Sequence, residues 1–511
     1  MQGRATIDEE LSNGKPPHRT GHGSAREWRR IVFLLLCRAL VFGGPVAAAA
    51  PAAESVVAPM VVRIDWTTPA GAFRPLHGIN KGPLVAGGLI DLRAAHRALA
   101  LPWVRLHDCH WPNPDVVDMH VVFPSDSANP SRRESYDFRR TDDYLRAIQE
   151  TGARMIYRLG ESIEHTNDRR FTHPPRDPAK WADACLGIIR HYNEGWADGL
   201  RFGIRYWEIW NEPENRPAMW SGTDDDYLRL YKTAALRIKQ TCPTLAVGGP
   251  GAGSVGKFED GTLAPSNFMA RFVEMCRTEN VPLDFFSWHF YGDDPERIVM
   301  QAHAIRRWLD ASGFTKTESH LNEWNFLPNN DWRPLGHDAA PTARRAHYEK
   351  IAGAEGAAFI VAVLLALQEA PVDVCNLFHG EIGGFGLFDE FGVPTKSYEA
   401  IAAFAQLLQT PRRLQIQVEP VVPANVRVAV GADATGGTIQ LLAANRGDDT
   451  CRFTIATHGF PWSGKVRMET RRITRTDSFT TVEQRAWETK EAFPTIVLPP
   501  TSVTLISLRK P

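Results

Sequence analysis

The chain carries almost no net charge: 58 Lys and Arg face 59 Asp and Glu across 511 residues, a formal charge of −1. Without a basic excess no electrostatic footprint for a nucleic-acid backbone is implied, and that partner is not expected. Cys-x-x-Cys pairs are missing as well. The seven cysteines, Cys37, Cys109, Cys185, Cys242, Cys276, Cys375 and Cys451, are scattered. Their spacing argues against a zinc ribbon, a thioredoxin-like site and a disulfide framework, and most are expected to be buried free thiols. HExxH, Walker and G-x-S-x-G patterns are absent. GAGSVG (251–256) does match G-x-G-x-x-G, but KFEDGTLAPSN follows it, where a dinucleotide site needs a helix at once. No cofactor and no metal are expected. No tandem repeat is evident. Beyond the first 50 residues no apolar run is long enough to cross a membrane.

The first 50 residues read as an export segment. Arg26, Arg29 and Arg30 precede the apolar run IVFLLLC, and RALVFGGPVAAAAPAAE supplies a small-residue cleavage zone. A periplasmic or extracellular protein is expected, with no membrane contact after removal of that segment. The remaining composition, 43% hydrophobic and 23% charged, supports a large core.

Eight short apolar or mixed runs follow, each trailed by a helix-like stretch: 74–80, 103–108, 154–162, 206–212, 245–251, 284–292, 318–325 and 374–380. Helices are expected over 141–152, 178–194, 224–240 and 266–280, the third capped by Asp224 or Asp225 and the fourth by Ser266. Strands alternating with helices predict parallel β/α units, and eight of them fit a (β/α)₈ TIM barrel over 70–408. Beyond residue 408 the runs become alternating and rich in β-branched residues, separated by Gly, Pro and Asp. These predict an antiparallel β-sandwich over 409–511 that includes an N-terminal strand from 58–69.

Polar residues stand at the C-terminal ends of the barrel runs: Asn80, Asp108, Glu161, Glu212, His289, Glu323 and His379. In such a barrel those ends converge on one mouth. YWEIWNEP places Glu212 at the end of strand four, where Pro213 stops the strand. SHLNEWNF places Glu323 at the end of strand seven. Paired carboxyls across one mouth are the working parts of glycoside hydrolysis. One protonates the leaving oxygen, and the other attacks the anomeric carbon or activates water. Glu208 and Glu214 are expected to be ion-paired or solvated.

WNEP and NEWN, with VRLHD on strand two and DFFSWHFYG on strand six, resemble the retaining (β/α)₈ glycosidases, most closely glycoside hydrolase family 39, which includes β-xylosidases and α-L-iduronidases. The resemblance implies that Glu212 is the general acid/base and Glu323 the nucleophile, with retention of configuration. It also implies that Asn211 binds the sugar 2-hydroxyl, that His107 reaches the sugar, that Arg105 lies near the nucleophile, and that His289 and Tyr291 line the same subsite. The expected substrate is an oligosaccharide or glycoside containing a pentose, cleaved by exo action. An endo-acting glycanase, an α-L-arabinoside or uronide hydrolase of the same family, and a non-catalytic carbohydrate-binding barrel are the alternatives. Family members acting on iduronic acid carry a Lys after the strand-six His. This chain reads HFYGDD there, which weighs against a uronide.

Overall fold

The computed structural model describes residues 60–111, 114–420 and 423–510. The export segment proposed for residues 1–50 lies outside them.

Eight parallel strands close into a barrel: β1 (Gly78–Asn80), β2 (Trp103–Leu106), β3 (Arg154–Leu159), β4 (Tyr206–Ile209), β5 (Ala246–Ala252), β6 (Phe285–Gly292), β7 (Glu318–Phe326) and β8 (Val374–Leu377), each hydrogen-bonded to its sequence neighbour and β8 to β1. Each falls within or overlaps one of the eight apolar runs. Helices cover the connections, with Pro178–Asn193 after β3, Asp224–Thr241 after β4 and Asn267–Thr278 after β5. Ser266 caps the last of these by accepting the Met269 N–H. The Asp224–Thr241 helix differs from expectation. Thr223 is its N-cap, accepting the Asp226 N–H, and the Asp226 carboxylate bonds back to the Thr223 N–H. This reciprocal box satisfies two free backbone donors at once, which Asp224 or Asp225 in the first turn does not do.

Side chains alternate across a strand, and the barrel interior is layered accordingly. Trp103, Ile156, Tyr206, Ala246, Phe285 and Val374 form one buried apolar cluster at the base. Two residues further along their strands stand Arg105, Glu208 and Ser287, which are buried and bonded to one another. Two or more residues beyond these, the chain reaches the mouth. The barrel is therefore plugged with hydrocarbon below and becomes polar upward.

The C-terminal strands join into a single nine-stranded sheet that also contains the N-terminal strand Met60–Ala72. That strand runs antiparallel to Arg412–Glu419, with Val62 opposite Val418 and Ile64 opposite Ile416, and parallel to Cys451–Ile455. The sheet is continuous, and it wraps around its own core. Trp66 on the N-terminal strand meets Phe460 at 5.0 Å between ring centres, and Phe460 meets Trp487 of the far edge strand Ser478–Glu488 at 5.1 Å. The helix Ala354–Ala366 is apolar all round and buried. It packs on the Thr438–Asn445 and Ser502–Arg509 strands as well as on β7, so each of its faces has an apolar neighbour. Among the described residues six cysteines are free thiols, four of them buried.

Candidate active site

Strand β4 ends in an abrupt change of backbone. Trp210 and Glu212 take φ of 70° and 42°, left-handed values that ordinary side chains avoid and that concentrate at functional sites. Trp210 packs away from the mouth, edge-on to Trp220 at 4.8 Å, with its indole N–H donated to the Met219 carbonyl. The backbone N–H of Glu212 is tied to the Gly251 carbonyl at 2.9 Å. The glycines of GAGSVG thereby acquire a reason. A Cβ on Gly253 would lie 2.5 Å from Glu212 Oε1, and one on Gly251, itself at φ +65°, would lie 2.9 Å from Asn211 Oδ1. Those glycines make room for Glu212 and Asn211.

The structure brings all seven residues singled out by sequence into one place. A carboxylate oxygen of Glu212, a ring nitrogen of His289 and a carboxylate oxygen of Glu323 all lie within 4.8 Å of one another. His289 Nδ1 is 2.8 Å from Glu212 Oε1 and 3.8 Å from Glu323 Oε1. Tyr291 donates its hydroxyl to Glu323 Oε1 at 2.8 Å, and Arg105 donates Nη1 to Glu323 Oε2 at 3.0 Å. The other Arg105 nitrogens bond Asn211 Oδ1 and, at 2.7 Å, Glu208 Oε2. His107 Nε2 stands 3.7 Å from Glu323 Oε2 and 3.2 Å from Asp108 Oδ2. Glu323 is 8% exposed and Glu212 17%, so both face an opening.

Five participants, Glu208, Ser287, Asn322, Asn80 and Asn215, were not singled out as site residues. Glu208 is ion-paired with Arg105, and it also accepts from Ser287 Oγ at 2.6 Å and from Asn322 Nδ2. Asn80 Oδ1 accepts a second bond from Arg105 Nη1 at 3.1 Å. Asn215 donates to Glu212 Oε2 at 3.0 Å. The signal available for Glu208 was its parity with Tyr206 on β4, which points both side chains into the barrel. Glu214 is neither ion-paired nor freely solvated. It accepts the Ser254 N–H at 2.8 Å, and burial, with the charge of Glu212 added, pushes its carboxyl up to about 7. Two strand-end residues stand apart from the carboxyl pair. Glu161 bonds His120, and His379 Nδ1 faces the Glu381 N–H at 3.2 Å.

Burial opposes the charge of every carboxyl here, and the neighbours decide the direction. For Glu212 the His289 bond and charge, helped by Asn215 and Arg105, outweigh burial and hold the carboxyl below its usual value. Burial, with the Glu212 charge added, pushes Glu323 up against the pull of His289, Arg105 and Tyr291. Burial disfavours a charged His289, but Glu323 and Glu212 together raise it; burial keeps His107 well below the usual range. Glu212, His289 and Glu323 lie close enough that the charge of each bears on the protonation of the other two. A second trio, Asp118, His120 and Glu161, also brings ligand atoms within 4.8 Å. Arg158 donates to Asp118 at 2.6 Å, so a fixed positive charge already answers that carboxylate.

Two glutamates at the ends of β4 and β7, this close over the mouth of a (β/α)₈ barrel, are the arrangement of a glycoside hydrolase. Residues 66–446 match the sequence model of Glycosyl hydrolases family 39, and the chain belongs to that family. It is an O-glycoside hydrolase, and the family retains anomeric configuration. It is similar to a β-xylosidase of Caldicellulosiruptor saccharolyticus, 25% identical over 385 residues that span 66% of this chain and 68% of the relative. Among solved structures it resembles a glucosidase from Croceicoccus marinus, with a TM-score of 0.73, 25% identity, and 89% of this chain and all of the other covered. The family 39 enzyme from Xanthomonas axonopodis pv. citri shares the fold at a TM-score of 0.67 and 17% identity, over 90% of this chain and all of that one.

Proposed function

We propose that the protein removes a single sugar, a pentose such as xylose, from the end of an oligosaccharide, by double displacement with Glu323 as nucleophile and Glu212 as acid/base. One Glu323 oxygen attacks the anomeric carbon while Glu212 passes its proton to the departing glycosidic oxygen, leaving a glycosyl ester on Glu323. Glu212 then takes a proton from water, the water oxygen bonds to the anomeric carbon, and the ester opens to restore Glu323. Two inversions retain configuration, a route that places the carboxyls about 5–5.5 Å apart. The carrying observation is the approach of the two glutamates within 4.8 Å, with Arg105 and Tyr291 both donating to Glu323. Those donors favour a charged, correctly aimed nucleophile. The surroundings lower the Glu212 carboxyl and raise that of Glu323, the opposite order to the one the first step needs.

Exo action is supported by a bridge across one side of the mouth. His110, in the loop after β2, and Glu381, after β8, meet at 3.0 Å. A pentose is supported by the β-xylosidase relative. The glucosidase of Croceicoccus marinus, alike over more of the chain, makes a glucoside the second reading. The amino-terminal segment of this chain, with Arg26, Arg29 and Arg30 before IVFLLLC, supports export to the periplasm or the exterior.

Assaying 4-nitrophenyl xyloside, arabinoside and glucoside, together with xylo-oligosaccharides, tests the substrate; shortening from the middle of the chain would refute exo action. For the roles, Glu323→Ala with azide is expected to yield an azido-sugar of inverted configuration and Glu212→Ala one of retained configuration. The opposite pattern reverses the assignment.

A further inference from the structure

Besides Trp210, which turns away into the core, three described strand-end residues that are not glycine adopt left-handed backbone beside the mouth. Glu212 is one. The others are Lys81, after β1, at φ 67°, and Asp108, after β2, at φ 48°. Strained backbone persists where the surrounding fold holds a side chain in a required place, and neither residue has a part in the double displacement.

Both side chains reach the same site as Glu323. His107 Nε2 spans from Asp108 Oδ2, at 3.2 Å, to Glu323 Oε2, at 3.7 Å. The Phe378 ring is 5.1 Å from Lys81 Nζ, and its centre is 6.3 Å from the His107 ring and 6.5 Å from the Tyr291 ring. Neither polar group is used up. Asp108 is 14% exposed; its Oδ1 accepts one N–H, from Ile163 at 3.2 Å, and a carboxylate offers about four acceptor positions. Lys81 is 6% exposed, with its nearest partners, His110 Nδ1 and Glu381 Oε2, at 3.4 and 3.8 Å. Both contacts are long for an ammonium, and together they leave at least one of its three donors available.

We propose that Asp108 and Lys81 form the grip for the reacting sugar, Asp108 accepting hydrogen bonds from two neighbouring ring hydroxyls and Lys81 donating to one of them, and that the grip selects an uncharged sugar. A sugar whose anomeric carbon meets Glu323 extends its far hydroxyls past His107 to Asp108. A uronate carboxylate there would face Asp108 and Glu381, with Lys81 already shared between the two, so like charges disfavour it. The proposal rests on the glycosidase reading for its placement of the anomeric carbon.

The test compares wild type with Asp108→Asn, which tolerates the left-handed backbone, and with Lys81→Met. The substrates are 4-nitrophenyl β-D-xyloside and its 3-deoxy and 4-deoxy analogues. Asp108→Asn is expected to lose about tenfold to hundredfold in kcat/KM on the parent, the worth of a hydrogen bond to a charged group. On each deoxy analogue the loss should be clearly smaller than on the parent, because one of the two gripped hydroxyls has already gone. An equal loss on all three substrates would overturn the grip and leave Asp108 positioning His107 alone, and no loss would overturn it too. A second measurement needs no turnover: quenching of tryptophan fluorescence by D-xylose, D-glucose and D-glucuronate. A neutral sugar should bind about tenfold or more weakly to either variant than to wild type, and D-glucuronate more weakly still to wild type. Glucuronate binding as tightly as xylose, no variant effect, or no binding of any sugar overturns the proposal. Neutral-sugar binding with the expected losses but without hydrolysis of any glycoside keeps the grip and refutes the glycosidase reading.

Discussion

Glu208 lies beneath Arg105, accepting its Nε–H at 2.7 Å with both side chains wholly buried. Arg105 in turn holds Glu323 and Asn211 through its other nitrogens. Glu208 therefore sets the aim of the guanidinium that sets the aim of the nucleophile, without itself reaching the mouth.

Glu208→Gln keeps the size but leaves Glu323 as the remaining ionic partner of Arg105, so losing the buried Arg105–Glu208 charge pair is expected to cost about 1–3 kcal/mol of stability. A misplaced nucleophile costs rate even when the shift is small, and kcat should fall on the order of a hundredfold. Thermal unfolding and steady-state kinetics on the same preparation check this. Wild-type kcat in the variant would refute the positioning role.

Tyr291 makes one identified hydrogen bond, to Glu323 Oε1. Tyr291→Phe removes it and keeps the ring against Phe385 and Trp332. A bond to a charged carboxylate is worth a loss of about tenfold to hundredfold in kcat/KM. The bond also pulls the Glu323 carboxyl down, so its loss raises Glu323 further. The acidic limb of the pH–rate profile should move to higher pH, and an unmoved limb would contradict that account.

Much of this was legible in the residues. The eight strands announced themselves because each barrel strand is a short apolar run that ends in polar residues at a shared mouth. Glu212 and Glu323 were readable from their strand-end positions and Asn-Glu context. What escaped was contact between distant segments. Glu208 and Arg105 are separated by 103 residues, and strand parity says that both point inward but not that they touch. The left-handed turns at Lys81, Asp108 and Glu212 leave no mark on side-chain pattern, because glycine does not occupy them.

His289 pulls down both carboxyls of the pair. His289→Asn should therefore raise both, and because the two titrate as a set, both limbs of the kcat/KM profile should shift to higher pH together. Movement of one limb only would mean that His289 serves a single glutamate.

Glu318 begins β7 at the base of the barrel, far along the strand from Glu323. It is held by Tyr206 OH at 2.6 Å, Arg205 at 2.8 Å and His320 at 3.0 Å. Half-burial opposes its charge, but the His320 and Tyr206 bonds, with the charges of His320 and Arg205, bring the carboxyl from 4.5 to about 2. A value depressed in the folded state stabilises above the unfolded value, and that contribution fades as pH falls from 4.5 toward 2. For a half-exposed group solvent screening leaves about 1 kcal/mol. Glu318→Gln should therefore melt below wild type at pH 7, and the gap should close on acidification. Activity at pH 7 should be unchanged, since the site lies at the other end of the barrel. A melting difference independent of pH would show that Glu318 contributes through packing rather than charge.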